Sequence, residues 1–530
     1  MAFNLIQAGT GLYTVNAKGG ISSALTLPTG ITLSATRVPR FARFGRYVIV
    51  VNTPSRPLSV DDAGTVRPLT PLPPTSTPVL ASEAGGGLSG SFLVKQTFVF
   101  LDAAGNIIAE SDFGPIPTNA QLLSAAYLRV TNIALSTDAS AISATRLYRT
   151  TKGPGGVYFQ WATIDGNTQT RFRDDLPDAQ LALLAAPSRG SAPDLTLIAE
   201  WQGRLWGVSR TQPDNLRFTE AGTAYAWSEL NTLPLPKVGD DRFGITAIVP
   251  RRGVLGIGRQ NRLVKVTGNT QTSIRPLGVV ENCGILSQES VATYRDLVFF
   301  LWRDGVYQWA GSDVISVSHR AGVDSWFQTN NYFNQAMFSQ AFAVFNHAHT
   351  AYRLFLCSAG QTTFDRWVEY SLKTEKFYGP HKTTALTPSC AVNIRGVADQ
   401  LYPMIGSRDG YLSQDTPERS DWGFAPISMV VTMAGHDGDG ERVEKYFGQL
   451  TVHTDHETAG TLKVNTTVGS PDGGDDSTIA MAHDLTVASE CLDRIGVGKS
   501  ATVQFENNEL NQPVTLYGYE IAPVSNIGTR

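Results

Sequence analysis

The chain has 530 residues and a formal net charge of −4, with 42% hydrophobic and 17% charged residues. This length exceeds one ordinary hydrophobic core, so several domains are expected. The slightly acidic balance, with no basic stripe, argues against tight nucleic-acid binding by phosphate neutralisation, whereas DNA could slide past such a surface without being held.

Glycine and proline are frequent, with 50 and 28 residues, which favours many short strands and turns. The four cysteines are far apart and form no CxxC pair, so we expect buried, reduced thiols rather than disulfides or a zinc ribbon. They are Cys283, Cys357, Cys390 and Cys491.

The N-terminal segment MAFNLIQAGTGLY has no basic stretch followed by a long apolar run, so no signal peptide is predicted. No window approaches the length of about 18 apolar residues that a membrane span needs. The sequence therefore predicts a soluble protein that is made in a cytoplasm.

Six segments of the chain share one design, beginning with RFARFGRYVIVV at Arg40. Each reads as an apolar strand, a polar turn, a strongly apolar strand, a second turn and a third strand. A repeat of about 45 residues with three or four strands is typical of a β-propeller blade. The fragment 9–27 could complete a seventh blade with C-terminal strands. The six segments begin at Arg40, Leu197, Ile245, Glu289, Gln340 and Ser389.

The interval between the first two segments is too long for one blade. After one blade it leaves roughly 110 residues, enough for a further domain. Residues 77–187 lie between Pro-rich linkers and contain about seven alternating strands, with hairpin turns at LDAAGNI and KGPGGVYF. We predict an inserted β-sandwich of the fibronectin type III or immunoglobulin kind.

Helical periodicity is scarce, and the best candidates are Thr118–Val130 and Asp324–Ala341. After Asp415 alternating strands with longer loops predict a second β-sandwich or jelly roll. The predicted fold is all-β. Its domains are propeller (1–76), inserted β-sandwich (77–187), propeller (188–420) and C-terminal β-sandwich (421–530).

The stretch RDLVFFLWRDGVYQWAGSDVISVSH, from Arg295 to His319, concentrates large aromatic residues around an Arg-Asp-Gly turn. Such residues can fill the space between adjacent blades, or they can form an aromatic box for a ligand. We favour the wedge between blades. The four wedge residues are Phe299, Trp302, Tyr307 and Trp309.

Three phrases in this order resemble tail proteins of short-tailed bacteriophages: RLYRTTKGPGGVYFQWATI with FRDD, CGILSQESVATYRDLVFFLWRDGVYQWAGSDVISVS, and the tail from KYFGQLTVHTD to PVTLYGYEI. The chain is most similar to the tail nozzle family, also called the tail hub or packaged-DNA stabilisation protein. The resemblance covers nearly the whole chain and includes no catalytic motif.

This resemblance implies a non-enzymatic virion protein that retains the packaged genome and conducts it during ejection. It implies a ring, usually a hexamer, with portal and adaptor proteins above and fibre, spike or needle proteins below. Double-stranded DNA would pass through the channel without specific contacts. The alternatives are a carbohydrate-binding propeller for host attachment and a propeller that hydrolyses glycans.

Three polar motifs contain residue types that can bind metal ions. HDGDGE (436–441) and PDGGDDS (471–477) resemble acidic calcium loops but lack the EF-hand spacing, so we favour solvated loops over metal sites. NHAH (346–349) places two histidines at i and i+2, with no further zinc ligands evident. No metal or cofactor is predicted.

The chain contains no recognised catalytic motif, and no catalytic residue is predicted. GIGRQNRL, starting at Gly256, lacks the Lys-Ser/Thr of a phosphate-binding loop. The compact basic spots are Arg251–Arg252 and the segment Arg40–Arg46. Each is either a solvated blade turn or a patch that contacts DNA or an acidic neighbouring subunit.

Overall fold

A computed structural model describes most of residues 4–526 and shows an all-β protein. The chain divides into two compact units. The first comprises Met1–Thr329, Gln335–Phe345 and Ile394–Leu401; the second comprises Asn330–Asn334, Asn346–Asn393 and Tyr402–Arg530. The residues not described within 4–526 are 17–19, 54–55, 103, 139–141, 154–156, 182–189, 238–242, 312, 329–331, 384–386, 396–400, 415–419, 422–424, 427–428, 433–444, 456–460, 469–475, 481–486, 493–495, 499 and 508–515.

The first unit begins with a two-stranded hairpin and a four-stranded antiparallel sheet, which we call sheet 1. The strands of sheet 1 pair in chain order, β3-β4-β5-β6, as in a propeller blade. These strands are β1 (Asn4–Ala8), β2 (Gly11–Val15), β3 (Arg40–Phe44), β4 (Tyr47–Val51), β5 (Leu58–Val60) and β6 (Val66–Pro68).

A seven-stranded β-sandwich follows sheet 1. One of its sheets has the order β13-β10-β7 and the other β12-β11-β8-β9. A one-turn helix, α1 (Asp178–Leu181), follows the last strand. The strands are β7 (Val79–Phe92), β8 (Val94–Leu101), β9 (Ile107–Glu110), β10 (Gln121–Thr131), β11 (Ala144–Thr150), β12 (Tyr158–Asp165) and β13 (Arg171–Asp174).

The prediction of a helix at Thr118–Val130 is wrong. Strand β10 occupies most of this segment and pairs with β7 and β13. Leu128 and Val130 are buried with period two, while a register shift after Leu123 disturbs the alternation earlier in the strand. That irregularity produced the apparent helical spacing in the sequence.

Three more four-stranded sheets complete the regular part of the first unit, and each pairs its strands in chain order. We call them sheet 2 (β14–β17), sheet 3 (β18–β21) and sheet 4 (β22–β25). Their strands are β14 (Leu195–Trp201), β15 (Arg204–Ser209), β16 (Asn215–Phe218), β17 (Thr232–Pro234), β18 (Ala247–Arg251), β19 (Val254–Gly258), β20 (Arg262–Thr267), β21 (Arg275–Glu281), β22 (Ala292–Tyr294), β23 (Leu297–Trp302), β24 (Gly305–Trp309) and β25 (Val314–Ser316).

Sheets 1 to 4 pack face to face in chain order. Ile49 of sheet 1 shares a buried cluster with Leu205 of sheet 2, and Trp206 of sheet 2 shares one with Ile257 of sheet 3. Trp309 of sheet 4 packs against sheet 3 in the same way. Since a single sheet of this size cannot bury both its faces alone, this stacking forms the core of the propeller.

The aromatic wedge predicted in sheet 4 is confirmed for its buried members. Phe299 and Trp309 have no exposed surface. Trp302 and Tyr307 are half-buried; the Trp302 Nε1–H donates to the Gln260 carbonyl of sheet 3 at 2.8 Å. These side chains fill space between sheets.

Helices are short between sheet 4 and the next strand. The prediction of a helix at Asp324–Ala341 is wrong, because the described part of this segment forms two short helices, and Phe333 before the second of them makes an isolated β-bridge with Ser358. The elements are α2 (Val317–Arg320), α3 (Ser325–Gln328), the 3-10 helix Gln335–Gln340 and strand β26 (Phe342–Asn346). A further 3-10 helix, Gln288–Ser290, precedes sheet 4.

The second unit contains further small antiparallel sheets. Strands β27, β28 and β29 pair in that order, and β31 pairs with β32. These strands are β27 (Ala351–Leu356), β28 (Arg366–Ser371), β29 (Lys376–Lys382), β30 (Pro388–Arg395), β31 (Leu401–Ser407) and β32 (Leu412–Gln414).

The C-terminal strands form a β-sandwich after a short hairpin of β33 and β34. One sheet has the order β35-β41-β37-β38, and in the other β36 pairs with β39, β40 and β42. Phe505 and Tyr519, from different sheets, lie 5.8 Å apart between ring centroids. The strands are β33 (Ser420–Asp421), β34 (Ala425–Pro426), β35 (Met429–Thr432), β36 (Lys445–Asp455), β37 (Thr461–Val468), β38 (Asp476–Ala480), β39 (Val487–Leu492), β40 (Gly496–Gly498), β41 (Ala501–Asn507) and β42 (Leu516–Asn526).

The predicted fold class is therefore confirmed: an all-β protein with propeller blade sheets, an inserted β-sandwich and a C-terminal β-sandwich. The blade starts predicted at Leu197, Ile245 and Glu289 lie within three residues of the first strands of sheets 2, 3 and 4. The three predicted domain boundaries, at 76/77, 187/188 and 420/421, stay predictions.

Candidate functional site

The first and second strands of sheets 1 to 4 are joined by four equivalent two-residue turns. The flanking pairs, such as Phe44 with Tyr47 and Trp201 with Arg204, close each hairpin. The turn residues are Gly45-Arg46, Gln202-Gly203, Arg252-Gly253 and Arg295-Asp296.

Each turn contains a residue in the left-handed region, as two-residue hairpins require. Gly45 has φ of 57° and Gly253 has 76°. Gln202 and Arg295, at the first position of their turns, have φ of 52° and 53°. The turns are therefore tight and place the adjacent side chains at fixed positions.

These turns lie on one side of the first unit, since two neighbouring cavities are lined by residues from several of them. A cavity of about 280 Å³ has walls from the turns of sheets 2, 3 and 4. A second, of about 460 Å³, adjoins the turns of sheets 1 and 2, and Glu200 lines both.

Five arginines stand on or beside these turns, and we call this surface the arginine face. Four of them are exposed and Arg251 is half-buried. The sequence showed the two basic spots separately, and the structure brings members of both to one surface. The arginine face consists of Arg43, Arg46, Arg251, Arg252 and Arg295.

Arg251 is held in place from both sides. Its Nε–H donates to the Asp296 carbonyl at 2.9 Å, and its guanidinium lies 5.1 Å from the centroid of the Trp309 ring. The Trp201 Nε1–H in turn donates to the Arg251 carbonyl at 2.7 Å. These contacts fix Arg251 between three sheets and orient the turn that contains Arg252.

Acidic groups reduce the positive charge of the arginine face only in part. Glu200 and Asp296 line the smaller cavity, and the Glu200 carboxylate accepts the Gly203 N–H at 2.9 Å. Arg46 lies 3.7 Å from Asp102 of the inserted sandwich. The phenol of Tyr47 is the main cause of the raised pKa of Arg46.

The basic segment Arg40–Arg46 is divided by the structure. Arg43 and Arg46 belong to the arginine face, whereas Arg40, at the opposite end of β3, makes a bidentate ion pair with Glu289. Arg40 Nη1 also donates to the Thr196 carbonyl at 2.5 Å. Arg40 thus connects sheets 1 and 2 with the segment preceding sheet 4.

A second ion-pair group lies near the starts of β3 and β14. Asp194 accepts from Arg37 at 3.3 Å and from Arg210 at 3.1 Å. Both arginines pair with Asp194, so these charges connect sheets rather than presenting free groups.

The described residues of the other predicted motifs do not form a site. HDGDGE (436–441) and residues 471–475 of PDGGDDS lie outside the described residues. His349 is 3.6 Å from Glu369, and burial lowers the pKa of His347. Gly256 lies within β19, in van der Waals contact with sheet 4.

Among the described residues, no group of three or more His, Cys, Asp or Glu is arranged to hold a metal ion. Cys283 and Cys357 are buried free thiols, as predicted, and burial raises the pKa of each to about 12. Cys390 is free but exposed, so burial was wrongly predicted for it. Cys491 has no described side chain.

The sequence prediction missed the equivalence of the four turns. The signal was present, because aligning the blade segments on their first hairpin places Arg46, Gln202, Arg252 and Arg295 at neighbouring turn positions.

No helix in the described part of the chain is long and apolar enough to cross a membrane.

No protein-family model matches the chain, and no curated protein matches it. Among solved structures, the chain is similar to BBS1N in complex with ARL6DN, with 8% identity and a TM-score of 0.29, covering 79% of this chain and 76% of that one.

Two carbohydrate-active enzymes also match. A glycoside hydrolase family 43 arabinoxylan arabinofuranohydrolase from Bacillus subtilis has 8% identity and a TM-score of 0.21, covering 75% of this chain and 93% of that one. An exo-β-1,3-galactanase from Phanerochaete chrysosporium has 11% identity and a TM-score of 0.15, covering 97% and 100%. All three TM-scores are below 0.5, so they carry no argument about function.

Proposed function

We propose that this protein is a structural component of a bacteriophage tail that assembles as a ring-shaped nozzle below the portal and adaptor. The proposal rests on the resemblance of three sequence segments, and of their order along the chain, to the nozzle family. In the proposed role, the stacked sheets give stiffness and neighbouring copies supply the ring contacts. No catalytic step is involved.

The observation that carries the assembly part of the proposal is the outer strand of sheet 3. Strand β21 exposes Leu277 by 59% and Val279 by 43%, with Leu277 at a register shift between β20 and β21. Exposed apolar pairs on an outer strand favour packing against another chain. A closed ring needs such a surface to meet a different surface of the next copy.

The test is electron microscopy of the purified protein with its portal–adaptor complex. We expect rings with an axial opening for the unaltered chain, and loss of rings for L277D/V279D with an unchanged melting temperature. I315D is the matched control, because Ile315 is 41% exposed and stands on the outer strand of sheet 4. If the unaltered protein stays monomeric in the presence of its portal–adaptor complex, the proposal is refuted.

A second candidate is a propeller that binds or hydrolyses glycans during host attachment. It is favoured by Glu200 and Asp296, which line one cavity of about 280 Å³, since glycoside hydrolysis uses two carboxyl groups. Release of sugars from host surface glycans, abolished by E200Q or D296N, would favour this candidate over the nozzle.

A further inference from the structure

We propose that the arginine face binds the phosphodiester backbone of double-stranded DNA. This inference goes beyond the proposed function, because a conduit can pass DNA without contacting its phosphates. The chain as a whole has a net charge of −4, so it would repel DNA at long range. A local basic surface changes that expectation where the turns converge.

The local charge supports this inference. The turns and the two cavities bring together five arginines, against Glu200 and Asp296 beside the cavities and Asp102 and Asp62 near Arg46. Glu200 is held by the Gly203 N–H within its own turn. Guanidinium groups match phosphate oxygens through paired N–H donors and keep their charge at every physiological pH.

The shape of the surface favours a polymer backbone over a small ligand. The two cavities adjoin at Glu200 and together extend from the sheet 1 turn to the sheet 4 turn. Arginines from sheets 1, 3 and 4 therefore stand along a surface that spans four sheets. A polyanion with regularly spaced charges can contact several of them together, whereas a single phosphate contacts one turn.

The aromatic rings of this surface favour duplex DNA over single strands or sugars, which bind by stacking on exposed rings. Trp309 is fully buried beneath Arg251, and Trp201 is 5% exposed. Tyr294 is stacked on Phe345 with centroids 4.3 Å apart. These rings support the arginines and present little free face to a base or a sugar.

Arg252 and Arg295 are the best residues to test, because both are exposed turn residues. Glutamine fits the Arg295 position, since Gln202 has nearly the same φ at the equivalent position of sheet 2. The variant is R252Q/R295Q. The matched control is R129Q/R171Q, which removes two exposed arginines from the inserted sandwich.

The experiment measures binding of a fluorescent mixed-sequence DNA duplex to the full-length protein between 50 and 200 mM salt. We expect R252Q/R295Q to weaken binding about tenfold at the lowest salt, and to reduce the slope of log K against log salt by about two. The control should change affinity less than about twofold. Equal weakening by both variants, or no duplex binding by the unaltered protein, would overturn the inference.

Two further readouts separate this inference from other outcomes. Tighter binding of a sulfated polysaccharide or of single-stranded DNA than of duplex would refute the choice of ligand. Ring formation by the unaltered protein and by R252Q/R295Q is followed in parallel. If the protein forms rings but its DNA binding does not depend on Arg252 and Arg295, only this inference is refuted. If DNA binding depends on these arginines but the protein never forms rings, only the nozzle proposal is refuted.

Discussion

Arg40 and Arg43 are three residues apart in the sequence but have different roles. Arg40 stands at the first position of β3, and Arg43 stands near its other end, beside the turn. Arg40 is 22% exposed and pairs with Glu289 over 2.7 Å, while Arg43 is exposed beside the turn. An ion pair that is partly buried and joins separate sheets stabilises the fold, whereas an exposed arginine such as Arg43 can contact another molecule.

Replacing Arg40 by methionine should destabilise the protein by about 1–2 kcal/mol, because Glu289 would lose its charged partner in a partly desolvated position and keep only the hydrogen bond from Ser287. Chemical denaturation of the two chains measures the difference. The control is R173M, which breaks the pair with Glu83 at 58% and 38% exposure and should cost under about 0.5 kcal/mol. Equal losses in the two variants would contradict the role assigned to Arg40.

Asp102 shows how one carboxylate defines a hairpin, as the predicted LDAAGNI turn requires. It accepts the Asn106 backbone N–H at 2.8 Å, the Asn106 amide at 3.2 Å and the Ala104 N–H at 2.9 Å. The hydrogen bonds from Asn106 lower the pKa of Asp102 below its ordinary value of 3.8. The charged form therefore stabilises the folded state.

Because this pKa is lowered on folding, the contribution of Asp102 is complete above pH 3.8 and is lost as the pH falls through the lowered folded value. D102A should therefore lower the melting temperature at pH 6, and the difference from the unaltered protein should shrink toward pH 2. D165A, at an exposed carboxylate, serves as the control. A difference independent of pH would contradict this account.

Sheets 3 and 4 illustrate how elements of this fold depend on close packing. A Cβ added at Gly256 of β19 would lie 2.7 Å from the Trp309 ring, whereas a Cβ at Gly278 of β21 would meet nothing within 4 Å. Both glycines belong to sheet 3. The first permits the face-to-face contact with sheet 4, and the second does not take part in it.

G256A should accordingly destabilise the protein by about 1–3 kcal/mol, because Trp309 must shift within a filled interface. G278A introduces the same methyl group into the same sheet and should change stability by less than about 0.5 kcal/mol. Denaturation monitored by tryptophan fluorescence measures both. Similar effects of the two substitutions would show that packing between sheets 3 and 4 does not limit stability.

At the scale of the whole molecule, the two proposed interactions differ in their physical origin. Ring contacts through Leu277 and Val279 are apolar, whereas DNA contacts through the arginine face are electrostatic. Added salt screens charges between exposed groups but does not weaken apolar burial.

Raising the salt concentration from 50 to 500 mM should therefore release DNA from the rings while leaving the rings intact. Electron microscopy counts the rings, and fluorescence anisotropy follows the DNA in the same samples. Rings that dissociate over the same range of salt as the DNA would show that charged contacts, rather than the apolar pair on β21, hold the copies together.

The all-β class, the blade segments and the inserted sandwich could be predicted from the sequence, because strand alternation, turn residues and repeat length are local properties of the chain. The prediction failed at Thr118–Val130, where a register shift mimicked helical spacing. Which arginines share a surface could not be predicted from the sequence, because it depends on how the sheets pack. Arg43, Arg252 and Arg295 come from turns far apart in the chain, and they meet because the sheets stack face to face in chain order.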